Sequence, residues 1–253
     1  MPDSVAVLGL GLIGGSLALD LRALGARVVG WDRPAVLRQA RRRRLVDVAA
    51  RTPEEAARGV ELVVLAAPPA ANLRLLALLA RLGSAGPVVT DVGSVKRPIV
   101  AEAERLGLRR FVGGHPLAGS ERSGIAAARP GLFAGRAWVL TPGPGTQPRA
   151  SRLVGRVARA LGARPVRRME AAEHDRAVAF LSHLPQVVAW ALLAAAQGDP
   201  VARRHLALAG PGFHDMTRLA RSSRALWRQI LAQNADESSR ALRALQRALA
   251  RRR

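Results

Sequence analysis

Apolar and polar positions follow one rhythm up to about residue 169 and another after it. Short apolar, β-favouring runs lie at residues 5–8, 27–30, 62–66, 88–90, 111–113 and 137–140. Between most of them lie longer stretches with apolar residues every three or four positions, at 16–24, 34–43, 70–82, 98–106 and 149–161. The short runs have the length of strands and the longer ones the period of helices, so their alternation predicts a parallel sheet with helices on both faces. The Pro-Gly-rich segment 141–145 predicts a turn, and Pro165-Val166 a last short strand. Beyond Met169 the strand pattern stops. Residues 171–181, 185–196, 201–209 and 222–251 read as helices rich in alanine and leucine, with Pro185 suited to the first turn of its helix. The fold class is α/β, a doubly wound sheet over residues 1–168 followed by an all-α domain over 169–253. Helices of that composition in a small second domain commonly bury against another copy, so a homodimer is expected.

The first apolar run ends in Gly9-Leu10-Gly11-Leu12-Ile13-Gly14, a helical pattern follows, and the second run stops at Asp32. Strand, glycine turn, helix, strand and acid in this order form the dinucleotide-binding fingerprint of a Rossmann-type sheet. Gly9 permits the tight turn, Gly11 lets a pyrophosphate approach the backbone at Leu12 and Ile13, and Gly14 lets helix and strand pack closely. The helix N-terminus then offers N–H groups and its positive dipole end to the phosphates. A carboxylate at Asp32 accepts hydrogen bonds from a ribose 2′-hydroxyl and repels a 2′-phosphate, which favours NAD over NADP; the neighbouring Arg33 blunts that repulsion.

Composition narrows the classes. The chain has 253 residues and no cysteine, which excludes disulfides, thiolate catalysis and cysteine-based metal sites. No uninterrupted apolar run reaches the length of a membrane span, and no basic leader with a cleavage site precedes the first strand, so a soluble cytoplasmic protein is expected. The net charge of +22 invites a nucleic-acid reading. The basic residues are spread along the chain, however, apart from residues 41–44 and 251–253, and aromatic residues for base stacking make up only 3%. A solvated arginine surface with no specific nucleic-acid partner accounts for this pattern. All but one of the 40 basic residues are arginine, the exception being Lys96.

Two loops follow strand ends, where ligands bind in open α/β sheets. The first carries Ser94 and Lys96, the second Gly114-His115-Pro116 through Gly124. Ser94 suits an N-cap or a hydroxyl facing substrate, two compatible roles. Lys96 suits a place beside the site or a local contact at a helix start. Among the five histidines, His115 lies on the edge where a cofactor would sit, His183 precedes Leu184-Pro185 at a helix junction, and His205 and His214 read as surface residues. No histidine spacing suits a metal, and no Gly-x-Ser-x-Gly elbow is present.

Together these segments resemble the prephenate/arogenate dehydrogenase family of tyrosine biosynthesis. The likeness rests on the glycine turn, Asp91 to Lys96, Gly114 to Glu121, Glu173-His-Asp-Arg176, Ser182-His-Leu-Pro185 and residues 212–220, then Trp227 and Asn234. The resemblance implies a Rossmann domain with a helical dimerisation domain, and an NAD-dependent oxidative decarboxylation of prephenate or of arogenate. It implies that His115 hydrogen-bonds the ring 4-hydroxyl, that Ser94 lies near the same hydroxyl and the nicotinamide, that His183 is a second active-site histidine, and that Arg218 binds a substrate carboxylate. Pro211 and His214 depart from the common pattern near Arg218. The C-terminal helices are expected to be shortened, with no regulatory domain after them. The rival readings are another Rossmann-plus-helical dehydrogenase, of the β-hydroxyacid dehydrogenase or imine reductase type, and a non-catalytic cofactor-sensing or nucleic-acid-binding protein. The first rival is not expected to carry the segment Gly-His-Pro-Leu-Ala-Gly-Ser, and the second fits the charge but leaves His115 and Arg218 without purpose.

Overall fold

The computed structural model describes residues 1–83 and 86–251, so Arg252 and Arg253 of the basic tail lie outside the described residues. The chain divides into two compact units, Met1–Gly119 with Ser123–His174, and Ser120–Arg122 with Asp175–Arg253.

The first unit runs β1 (Ser4–Leu8), α1 (Leu12–Ala23), β2 (Arg27–Trp31), α2 (Pro34–Arg42), β3 (Val48–Ala49), α3 (Pro53–Ala57), β4 (Leu62–Leu65), α4 (Pro69–Ala80), β5 (Val88–Asp91), α5 (Arg97–Arg105), β6 (Phe111–Pro116), β7 (Trp138–Thr141), α6 (Pro148–Ala160) and β8 (Val166–Arg168). The strands form one eight-stranded sheet in the order β3-β2-β1-β4-β5-β6-β7-β8. Side chains alternate across it with period two. Val5 and Val7 of β1 enter a core with Leu17 and Leu21 of α1, whereas Ala6 and Leu8 enter another with Leu75 and Leu76 of α4. Both faces are therefore covered, as a parallel sheet requires. The strand order reverses between β1 and β4, which opens a crevice at the carboxyl edge.

Three details depart from the sequence expectations. First, β7 pairs antiparallel with β6, so the sheet is not wholly parallel. The stretch between them contains only a 3₁₀ turn, Ile125–Ala127, and no crossover helix to carry the chain back to the other end of the sheet. Second, β3 and α3 span only two and five residues, too short to show a period. Third, the helices of the second unit are cut differently.

That unit holds the end of α7 (Ala171–Val178), then α8 (Leu184–Gly198), α9 (Pro200–Arg204), α10 (Pro211–Thr217), α11 (Arg224–Gln233) and α12 (Ala235–Ala250). The expected helix at 222–251 breaks at Asn234, whose backbone leaves helical geometry (φ −130°, ψ 40°). The one at 201–209 splits into α9 and a 3₁₀ turn. The segment between α7 and α8, expected to separate two helices, is instead a π-helical turn, Ala179–His183. Pro185 explains it: without an N–H it cannot bond the carbonyl of Leu181, and its ring needs room where that carbonyl would stand. The combined helix Ala171–Gly198 is 28 residues long and, among the described residues, is the one helix long and apolar enough to cross a membrane by length and composition. It also carries Glu173 and Arg176 in its first turns and buries His183 and Gln186.

Candidate active site

The glycine turn after β1 is built by steric exclusion. Gly9 has φ +105°, and a Cβ there would lie 2.5 Å from the carbonyl carbon of Ala66. A Cβ on Gly14 would lie 1.8 Å from the Gly9 oxygen, so only glycine lets α1 start this close to the strand. Around Gly11 nothing lies within 4 Å of the Cβ position, which leaves the mouth of the turn open. Helix α1 begins at Leu12 and Ile13 behind Gly11, with no side-chain cap on its first N–H groups. The Asp32 carboxylate closes the other side: Oδ2 accepts from Leu10 N at 2.7 Å and Oδ1 from Arg33 N at 2.6 Å. Arg33 itself is 87% exposed, its Nε 3.7 Å from Asp32 Oδ1. Backbone donors at an open helix start, with a carboxylate at the end of β2, fit the pyrophosphate and adenosine ribose of a dinucleotide.

On the same edge the ends of β5 and β6 are joined through a buried ion pair. Lys96 Nζ donates to Asp91 Oδ2 and, at 2.7 Å, to the carbonyl oxygen of Gly114. Asp91 Oδ1 accepts from Gly114 N at 3.0 Å, and Oδ2 from Gly93 N at 2.8 Å. A Cβ on Gly114 would stand 2.6 Å from the Asp91 carbonyl oxygen, so β6 approaches β5 here as only glycine permits. Lys96, not Ser94, occupies the N-cap position of α5, and it makes no side-chain cap bond. Ser94 sits half-buried in the loop just before it.

His115, the next residue on β6, is 7% exposed. Its Nδ1 lies 2.8 Å from Nε2 of His174, a fully buried residue of α7. The ring centroids are 5.0 Å apart and the planes 73° from parallel, an edge-on arrangement suited to an N–H···N bond.

The second unit gathers a separate set. His183, in the π-helical turn, is fully buried, with Nδ1 3.3 Å from both Ser238 Oγ and Asn234 Nδ2. Asn234 Nδ2 also donates to the Asp175 carbonyl at 2.8 Å, so the residue that breaks the last helix holds the histidine's surroundings together. Trp227 meets the His183 ring edge-on at 5.8 Å. Arg218, at the C-terminus of α10, keeps 55% of its side chain exposed and pairs through Nη1 with Glu121 Oε2 at 3.2 Å. Glu121 is held below the usual carboxylate range, first by its own backbone N–H and then by Arg218. His205 and His214 are exposed, as expected.

Two sequence models of one family cover most of the chain. Residues 17–167 match the prephenate dehydrogenase nucleotide-binding domain, and residues 170–252 match the prephenate dehydrogenase dimerization domain. The chain belongs to the prephenate dehydrogenase family. It is 36% identical over 249 residues to the prephenate dehydrogenase of Bacillus subtilis, a match covering 94% of this chain and 66% of that protein. With the Lactococcus lactis enzyme the match takes in 65% of that protein, so the chain spans about two thirds of the length of these curated relatives. Among solved structures, the prephenate dehydrogenase of A. aeolicus in complex with hydroxyphenyl propionate and NAD+ superimposes with a TM-score of 0.90 at 31% identity, over 98% of this chain and 88% of that one. Synechocystis arogenate dehydrogenase gives a TM-score of 0.82 at 33% identity, over 98% and 90%. A β-hydroxyacid enzyme, the 3-hydroxyisobutyrate dehydrogenase of Mycobacterium tuberculosis, is 16% identical with a TM-score of 0.60, a likeness of fold alone.

The sequence marks His115 and His183 but not their partners. His174 and Asn234 stood inside family segments, but neither position marks a role, because their contacts span 59 and 51 residues. One signal was available for Lys96, its being the sole lysine.

Proposed function

We propose that this protein is an NAD-dependent prephenate dehydrogenase, converting prephenate to 4-hydroxyphenylpyruvate and CO₂. The observation that carries the reading is His115, buried on the carboxyl edge of the sheet that presents the glycine cradle, in a chain that matches both domains of the family. When bound, the nicotinamide supplies the acceptor for the hydride that leaves ring carbon 4. The chain's own residues handle the proton. As the 4-hydroxyl carbon becomes carbonyl-like, His115 Nε2 takes the hydroxyl proton; Nδ1 is committed to His174. When the C1–CO₂ bond breaks, its electrons close the aromatic ring and the same proton returns to the phenol oxygen, so no net proton is released. Ser94, in the loop beside α5, bonds the same hydroxyl. His183, fixed by Asn234 and Ser238, is the second active-site histidine and bonds the substrate. Arg218 binds a substrate carboxylate in a bidentate fork.

Leu12 and Ile13 N–H groups and the turn from Gly9 through Gly11 to Gly14 receive the pyrophosphate, and Asp32 receives the ribose, which favours NAD over NADP. The protein acts in tyrosine biosynthesis in the cytoplasm, as a homodimer through its helical unit. Supporting the dimer are exposed Leu181 (79%), Leu208 (80%) and Val201 (67%) on that unit, a density of bare apolar side chains that a second copy would cover. No specific nucleic acid or membrane partner is proposed. Arg43, from the basic block, is committed to the carbonyls of Ile125 and Ala128.

Arogenate is the second reading, supported by the likeness to the Synechocystis enzyme. The Glu121 carboxylate beside Arg218 is the kind of group an ammonium requires. Steady-state turnover of prephenate and of arogenate with NAD and with NADP, followed by absorbance of reduced cofactor, tests the whole reading. The largest kcat/KM is expected for prephenate with NAD. No turnover of either acid overturns the function, and a larger kcat/KM with arogenate establishes the second reading.

A further inference from the structure

We propose that His174 is the positioning residue that sets the tautomer of His115, a role that rests on the function proposed above. The bond between His115 Nδ1 and His174 Nε2 holds one proton at 2.8 Å, and it has two possible directions. If His174 donates, the His115 proton sits on Nε2 and that nitrogen cannot accept from a hydroxyl. If His115 donates, Nδ1 carries its proton and Nε2 has the lone pair that a base requires. General-base chemistry at His115 is compatible only with the second direction. His174 then does for this imidazole what an orienting carboxylate or carbonyl does elsewhere, as a neutral acceptor.

Burial makes the arrangement binding. His115 is 7% exposed and His174 fully buried, so bulk water is a poor substitute for either partner. The edge-on geometry excludes stacking as the reason the rings meet. Once His115 has taken the substrate proton, its imidazolium donates the same bond more strongly, because the donor is now charged.

The backbones also explain why this partner is dependable. His115 is anchored on β6, whose preceding residue is fixed by Asp91 and Lys96. His174 is anchored by its own backbone N–H to the Glu170 carbonyl at 2.9 Å. Neither ring hangs on a loose loop.

The test uses the full-length protein labelled with ¹⁵N-histidine, and three forms: wild type, His174→Gln, whose amide oxygen still accepts, and His174→Leu, which does not. Long-range ¹H–¹⁵N spectra are expected to show the His115 proton on Nδ1 and an unprotonated Nε2 in the wild type and the glutamine variant, with that pattern lost in leucine. With prephenate and NAD, kcat is expected to fall about 10–100-fold in His174→Leu, with both KM values within about twofold of wild type, and to recover largely in His174→Gln. A His115 proton on Nε2 in the wild type overturns the proposal. So does a folded leucine variant with wild-type kcat, or a glutamine variant as slow as leucine. Should the leucine variant not fold, the wild-type tautomer decides alone. Absence of wild-type turnover defeats the proposed function and not the tautomer assignment, which the spectra report without substrate.

Discussion

Lys96 and Asp91 form an ion pair in which both side chains are almost completely removed from solvent (0% and 1% exposed), and the lysine also reaches the Gly114 carbonyl. The pair ties the end of β5 to the residue immediately before His115. Its place in the fold is thus both structural and adjacent to the proposed chemistry.

Removing one member of a buried pair leaves the other charged and uncompensated, at a cost of about 3–5 kcal/mol. Lys96→Met is therefore expected to be strongly destabilised in urea unfolding, and to lose kcat in whatever fraction folds. A variant as stable as wild type would show that Asp91 is adequately satisfied by the backbone N–H groups of Gly93 and Gly114.

His115→Asn keeps a side chain able to hydrogen-bond a hydroxyl and removes the base. The expected loss is about 10²–10⁴-fold in kcat. NAD affinity, measured by direct titration, should not move, because the phosphates rest on the Gly9–Gly14 turn. If cofactor affinity and stability fall together instead, His115 only braces its strand.

Arg218→Ala deletes a charge-assisted contact to a carboxylate, worth roughly 1.5–3 kcal/mol. The substrate KM should rise about tenfold or more while the KM for NAD stays in place. Glu121 is the control: Glu121→Gln removes the resident partner of Arg218 and should change the substrate KM without changing the melting temperature, since the pair is exposed. An unchanged substrate KM in folded Arg218→Ala would remove this residue from the site.

A pH effect on stability follows from Asp47. Burial raises its pKa, but the Arg22 side chain, Val28 N–H at 2.8 Å and the charges of Arg22 and Arg27 outweigh burial and hold it below the ordinary carboxylate value. A carboxyl whose folded pKa is depressed adds stability above its unfolded pKa and loses that stability as pH falls through the folded value. Wild type should accordingly exceed Asp47→Asn in unfolding midpoint at neutral pH. The gap should close as the solution is acidified through and below the carboxylate range. Parallel curves would mean that the Arg22–Asp47 pair contributes nothing.

The strand–helix alternation, the glycine turn with Asp32, and the switch to helices after residue 169 were all legible from the order of residues. Each depends on a local property: the period of burial, the φ angle open to glycine at position 9, or the distance from the turn to the acid. No helical pattern separates the runs at 111–113 and 137–140, but only the tertiary structure shows that the chain turns back there rather than crossing over as a loop. The direction of β7 was therefore not legible in full. Nor was the π-helical turn around His183, which arises from how Pro185 meets a helix already running from Ala171. The partners of the candidate residues lay furthest from view. His115 with His174, and His183 with Asn234, are brought together only when distant segments pack, and a hydrogen bond across 59 residues leaves no periodic trace in either one. Local sequence therefore determined which groups are available for chemistry, and the tertiary structure decided which nitrogen of each histidine is already engaged, because burial lets a ring keep only the partners that packing supplies.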